Sequence, residues 1–123
     1  LRTGLSASSA FDPDGWDDSP EAEYRKALRL IAETPTLIAV FDRLRTGREM
    51  IPPNPELTHA GNLLWMLHGV EPDPDDAKVL DTTFVLYADH TMNASTFTAR
   101  VIASTLSELR ASEALNVAIS AIA

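Results

Sequence analysis

Three histidines are the side chains best suited by type to proton chemistry near neutral pH. One of them, His90, sits in the polar run Ala88-Asp89-His90-Thr91-Met92-Asn93-Ala94-Ser95-Thr96. An imidazole there can donate to a ketone or carboxylate oxygen, and Asp89 and Asn93 lie in the same turn, where they can hold it in place. His59 follows Thr58, a helix-capping type, and reads as a solvated residue. His68 precedes Gly69, at a helix end where an imidazolium gains from the dipole. No Cys, His or Glu stands at metal-ligand spacing from any of them, so no zinc site is expected. Taken alone, a single histidine near a helix junction is more often structural than functional. What surrounds His90 decides.

The other candidates are weaker. Asp12, Asp14, Asp17 and Asp18 crowd one loop, but their spacing lacks the ligand order and closing glutamate of a calcium loop, so a solvated acidic loop is expected. With no cysteine in the chain there is no disulfide, thiolate ligand or thiol nucleophile. A formal charge of -8, from 18 acidic and 10 basic residues, argues against a nucleic-acid binder, which needs a basic stripe. It leaves room for an anionic small substrate in a local Arg/His pocket. No apolar stretch has the roughly 18 uncharged residues of a membrane span, and no signal-peptide pattern is seen. A cytoplasmic protein is expected.

Those side chains must be positioned by helices. The 123 residues make one domain at most, and 45% are hydrophobic. Leu1 to Ala10 is a first helical stretch with Leu1 and Leu5 on one face, followed by a loop from Phe11 to Asp18. Ser19-Pro20-Glu21 is a helix start, with Tyr24, Ala27, Leu28 and Ile31 as its buried face and Arg25, Lys26 and Arg29 toward solvent. Thr34-Pro35 reads as a second start, leading into an apolar stripe of Leu37, Ile38, Val40, Phe41 and Leu44 that stops near Gly47. Pro52, Pro53 and Pro55 make the segment from Arg48 to Leu57 an extended connection.

Thr58 caps a helix with Leu63, Leu64, Met66 and Leu67 inside and Gly69 at its end. Asp73-Pro74 opens another, whose Ala77, Val79, Leu80, Phe84, Val85, Leu86 and Tyr87 spread around most of its circumference. Such a helix is expected at the centre of its domain. Asn93 to Leu106 reads as a helix rich in small residues, and Glu113 to Ala123 also has helical composition. The fold class is all-α and multi-helical. The chain begins at Leu1 and closes on Val117, Ala118, Ile119 and Ile122, and neither end reads as a natural domain boundary.

The run from Ala88 to Arg100 resembles the citrate synthase family, whose bacterial members carry A-D-H-x-x-N-A-S-T. Other blocks agree in order: Leu1-Arg2-Thr3, Ser19-Pro20-Glu21-Ala22, Ile31-Ala32 with Thr34-Pro35-Thr36, Pro53, His59-Ala60 with Asn62-Leu63, and Met66-Leu67-His68-Gly69 before Glu71-Pro72. The resemblance covers roughly Leu1 to Leu109. It implies an all-helical fold with a large and a small domain and an active site in the cleft between them. Residues 1–123 would then be an internal part of the large domain, without the small domain and the later catalytic segments. The resemblance further implies a homodimer, to which the small-residue face from Asn93 to Thr105 and the stripe from Leu37 to Leu44 are suited.

The family reaction joins acetyl-CoA to oxaloacetate. An aspartate removes a methyl proton from acetyl-CoA while a histidine steadies the enol. The carbon then attacks the ketone, and the citryl thioester is hydrolysed. Hydrogen bonds hold the developing charge, so no metal or cofactor is implied, acetyl-CoA being a substrate. On this resemblance His90 matches the histidine that hydrogen-bonds oxaloacetate, with Asn93 beside it as a further substrate-binding candidate. Ser95 matches a serine that orients the first catalytic histidine. The G-P-L-H-G-G-A motif, a later histidine, the general-base aspartate and the carboxylate-clamping arginines are missing, and Arg110-Ala111-Ser112-Glu113 with Asn116 departs from the run that leads to that motif. The chain alone is therefore not expected to catalyse. Arg25, Lys26 and Arg29 could face the phosphates of coenzyme A, although a solvated helix face is the expectation.

Three other functions stand beside this one: a 2-methylcitrate synthase using propionyl-CoA, a non-catalytic dimerising remnant of the family, and a generic helical interaction domain. The acyl pocket that separates citrate synthase from 2-methylcitrate synthase does not fall in this stretch.

Overall fold

Capping residues and prolines divide the chain into helices, as expected from the sequence. A computed structural model describes residues 1–88 and 91–104. These form α1 (Arg2–Ser8), a single 3-10 turn (Ser9–Phe11), α2 (Pro20–Arg45), α3 (His59–His68), α4 (Pro74–Ala88) and α5 (Ala94–Ser104), with no strand among the described residues. The expected helix from Glu113 to Ala123 lies outside them. By contact the chain divides into two units, Leu1–Ile31 with the described part of Thr91–Ala123, and the described part of Ala32–His90.

In the first unit the Ser19 hydroxyl accepts from the Ala22 amide at 3.3 Å and starts α2. Pro20 then occupies the first helical position, where a missing N–H costs nothing, and Glu21 and Glu23 meet the positive end of the dipole. Leu5 and Ala22 are buried. The inward face of α2 here is not the apolar one. Lys26 is buried at 9% exposure, whereas Leu28 is 49% and Ile31 61% exposed. The expected sidedness of this helix does not hold, because the loop after Phe11 brings its carboxylates onto the basic face.

The expected new start at Thr34-Pro35 is also corrected, since α2 runs through Pro35 without a break. A proline at this depth cannot bond to the carbonyl four residues earlier, that of Ile31. The division between the units falls immediately after Ile31.

In the second unit Pro35, Ala39 and Arg43, four residues apart, are the buried row of α2. Ile38, Phe41 and Leu44, of the apolar stripe read from the sequence, are exposed. Gly47 takes a left-handed φ of 68° just past the helix. Thr58 caps α3 by accepting from the Gly61 amide at 3.1 Å, and Gly69 ends it at φ 77°. The proline connection is pinned to α3 by a two-way clasp: the Asn54 amide donates to Asn62 Oδ1 at 2.8 Å, and Asn62 Nδ2 donates to the Asn54 carbonyl at 2.6 Å. Trp65 Nε1 adds a bond to the Pro52 carbonyl at 3.0 Å.

Asp73 opens α4 by accepting from the Asp75 amide at 2.8 Å, with Pro74 first in the helix. Helices α3 and α4 pack together. Their approach is close at Gly61, where an added methyl would lie 3.7 Å from Pro72 Cγ and 3.8 Å from Ala77 Cβ. His59 meets Phe84 edge-on with ring centroids 5.8 Å apart. The expectation that α4 is central does not hold within this unit. Helix α3 covers one of its faces, and Val79, Val85, Leu86 and Tyr87 are exposed.

Candidate functional site

The start of α5 carries the described part of the candidate site. Asn93 is its cap: Oδ1 accepts from the Thr96 amide at 2.7 Å, and the Asn93 carbonyl accepts from the Phe97 amide at 2.9 Å. Asn93 Oδ1 also accepts from the Ser95 hydroxyl at 2.9 Å. Two of the three expected site residues, Asn93 and Ser95, are therefore in direct contact. The third, His90, lies outside the described residues, as does Asp89. Between them and the cap, Thr91 adopts φ 60°, the left-handed region that a β-branched side chain rarely enters. Such strain persists only where the surroundings impose it, and it gathers at functional sites.

The second cluster joins the acidic loop to the first turns of α2. Arg25 forks onto Asp14, with Nε donating to Oδ2 at 2.9 Å and Nη2 to Oδ1 at 2.6 Å. Arg29 forks onto Asp12 at 2.9 and 2.7 Å and also reaches Asp14. Parallel two-bond pairs of this kind are the strongest ordinary form of the interaction. The Arg25 bond, then that of Arg29, holds Asp14 well below the usual carboxylate range. The Arg29 bond lowers Asp12 in the same way. Asp17 is lowered chiefly by the Ser19 amide, which donates to its Oδ1 at 2.9 Å. Lys26 Nζ donates to the Asp17 carbonyl and to Glu23, each at 2.7 Å.

The three cations expected toward solvent are thus committed to the chain's own loop. Arg25 and Arg29 are engaged by carboxylates that a coenzyme phosphate would have to displace. Two of the loop's four carboxylates, Asp12 and Asp14, are paired with arginine, and among the described residues no three His, Cys, Asp or Glu side chains gather to hold a metal ion.

Sequence reasoning missed Arg43. It is buried in the last turn of α2, donates to the Glu49 carbonyl, and with Arg48 places two guanidinium bonds of 3.0 Å each on the Leu67 carbonyl. Two cations at the negative end of α3 satisfy a carbonyl the helix cannot. The one available signal was a basic residue four positions beyond Ala39 on what proves to be the buried row.

Known structures share this arrangement of helices. The chain superimposes on the crystal structure of citrate synthase from Pyrobaculum aerophilum with a TM-score of 0.89 and 35% identity, over 97% of this chain and 32% of that one. It is 47% identical over 109 residues to a citrate synthase from Deinococcus radiodurans, covering 89% of this chain and 29% of the relative. It is 41% identical, with the same two coverages, to a citrate/2-methylcitrate synthase from Bacillus subtilis. The family model described as "Citrate synthase, C-terminal domain" matches residues 1–123.

The chain belongs to the citrate synthase family. It spans a little under a third of the length of these relatives. No helix among the described residues is long and apolar enough to cross a membrane.

Proposed function

We propose that this chain is a segment of the large domain of a citrate synthase, which condenses acetyl-CoA with oxaloacetate to give citrate and coenzyme A. The family match along the whole chain carries the reading. In it, His90 donates a hydrogen bond to oxaloacetate and so draws electron density away from the carbon under attack. Asn93 lies beside the same ligand, and Ser95 orients the histidine that steadies the enol. Neither metal nor cofactor takes part, since acetyl-CoA is consumed as substrate. The groups that remove the methyl proton and clamp the carboxylates come from outside this chain, which is inactive alone. The working enzyme is a cytoplasmic homodimer.

A second reading is kept open by the Bacillus subtilis relative named for both activities. It is a 2-methylcitrate synthase, with propionyl-CoA in place of acetyl-CoA. The test is turnover of the complete enzyme with each thioester at equal concentration. Preference for acetyl-CoA supports the first reading, and preference for propionyl-CoA the second. No turnover with either, together with a coding sequence that stops at Ala123, makes the chain a non-catalytic remnant.

A further inference from the structure

His59 makes a contact that its solvated place in the sequence did not announce. It opens α3, and its ring meets that of Phe84 in α4 edge-on, with centroids 5.8 Å apart and planes at 64°. Two residues further along α3, Gly61 faces Ala77 near the start of α4. The distance along α4 from Ala77 to Phe84 is about 10 Å. Helix α3 thus holds α4 near its start by close backbone approach and in its second half by the imidazole. Beyond Phe84 the side chains of Val85, Leu86 and Tyr87 are exposed, and α4 ends at Ala88. In the sequence His90 follows directly on this end. Among the described residues the His59–Phe84 pair is the ring contact nearest to His90 in the chain.

We infer that His59 is a positioning residue for oxaloacetate binding: its ring, braced on Phe84, fixes the last turns of α4 and so sets where His90 stands. The inference rests on the proposed role of His90 and deepens it. A hydrogen bond to a ligand weakens steeply with distance and angle. A small drift of the helix end therefore costs binding while the helix stays folded. Two rings meeting edge-to-face also have a preferred geometry, which mere apolar contact lacks. His59 stands at the surface and Phe84 is half-buried, so removing the imidazole opens no cavity in the core. Positioning and stability can for that reason be told apart.

The test uses the complete enzyme and reads kcat, KM for each substrate and the melting temperature. His59→Ala should raise KM for oxaloacetate roughly two- to tenfold and leave KM for acetyl-CoA in place. His59→Phe keeps the edge-on ring and should restore KM for oxaloacetate. In a Phe84→Leu background His59→Ala should cost nothing more. Trp65→Phe, which removes the bond from α3 to the Pro52 carbonyl, should lower the melting temperature without moving either KM. An unchanged KM in His59→Ala, a failed rescue by His59→Phe, or an equal rise in KM from Trp65→Phe overturns the inference. His90→Ala separates this from the reading beneath it. If His90→Ala raises KM for oxaloacetate and His59→Ala does not, the inference alone falls. If His90→Ala leaves that KM unchanged, the role proposed for His90 fails and the inference with it.

Discussion

Arg29 and Asp12, 17 residues apart in sequence, meet through two parallel hydrogen bonds of 2.9 and 2.7 Å. This pair, with Arg25 on Asp14, fastens the acidic loop to the charged face of α2.

The clamp predicts an acid-sensitive contribution to stability. Asp12 and Asp14 are lowered in the folded protein, so the unfolded chain takes up their protons first as pH falls. Their contribution is fully present above the ordinary carboxylate pKa of about 4 and is lost as pH drops below it. Melting temperature measured from pH 7 to pH 3 should fall on the acid side. In an Asp12→Asn, Asp14→Asn variant it should start lower and fall less. An equal acid slope in both proteins would contradict the assignment.

Gly69 predicts a conformational cost. It sits at φ 77°, and a methyl added there would come within 2.8 Å of Ile51 Cδ1. Gly69→Ala should destabilise by about 1–2 kcal/mol from the left-handed backbone alone. Pairing it with Ile51→Val should recover only the contact part. Denaturant titration of the single and double variants separates the two, and a fully restored midpoint would deny the backbone term.

Thr91 predicts the opposite sign. Its φ of 60° is unfavourable for a β-branched residue, whereas Asn enters this region more readily. Thr91→Asn should stabilise by about 1 kcal/mol. A lower melting temperature would show that the threonine side chain contributes more than its backbone costs.

The apolar faces predict association. Leu28, Ile31, Phe41 and Leu44 on α2, and Val79, Val85 and Leu86 on α4, are exposed in the chain by itself. Exposed apolar side chains in this number favour contact with other copies. The isolated chain should sediment as oligomers, and Leu44→Glu with Leu86→Glu should shift it toward monomer. A clean monomer of the unaltered chain would count against this.

Local signals were legible in the sequence and sidedness was not. Ser19, Thr58, Asp73 and Gly69 mark helix ends by short-range chemistry, and each does so in the structure. The inward face of α2 depends on partners distant along the chain. A hydrophobicity pattern assigns Leu28 and Ile31 to the core, but Asp12 and Asp14 claim the opposite face through Arg25 and Arg29. Pro35 misled because a proline that looks like a start is carried inside α2, at the loss of one backbone hydrogen bond. At the site, Asn93 and Ser95 were found together by motif, while their hydrogen-bond direction needed the geometry of the cap.

The most direct test of the account is His90→Ala in the complete enzyme, with oxaloacetate varied at saturating acetyl-CoA. Loss of a charge-assisted hydrogen bond of about 1.5–3 kcal/mol predicts a fall in kcat/KM for oxaloacetate of at least about tenfold. Kinetics indistinguishable from the unaltered enzyme would contradict the role given to His90, and with it the site.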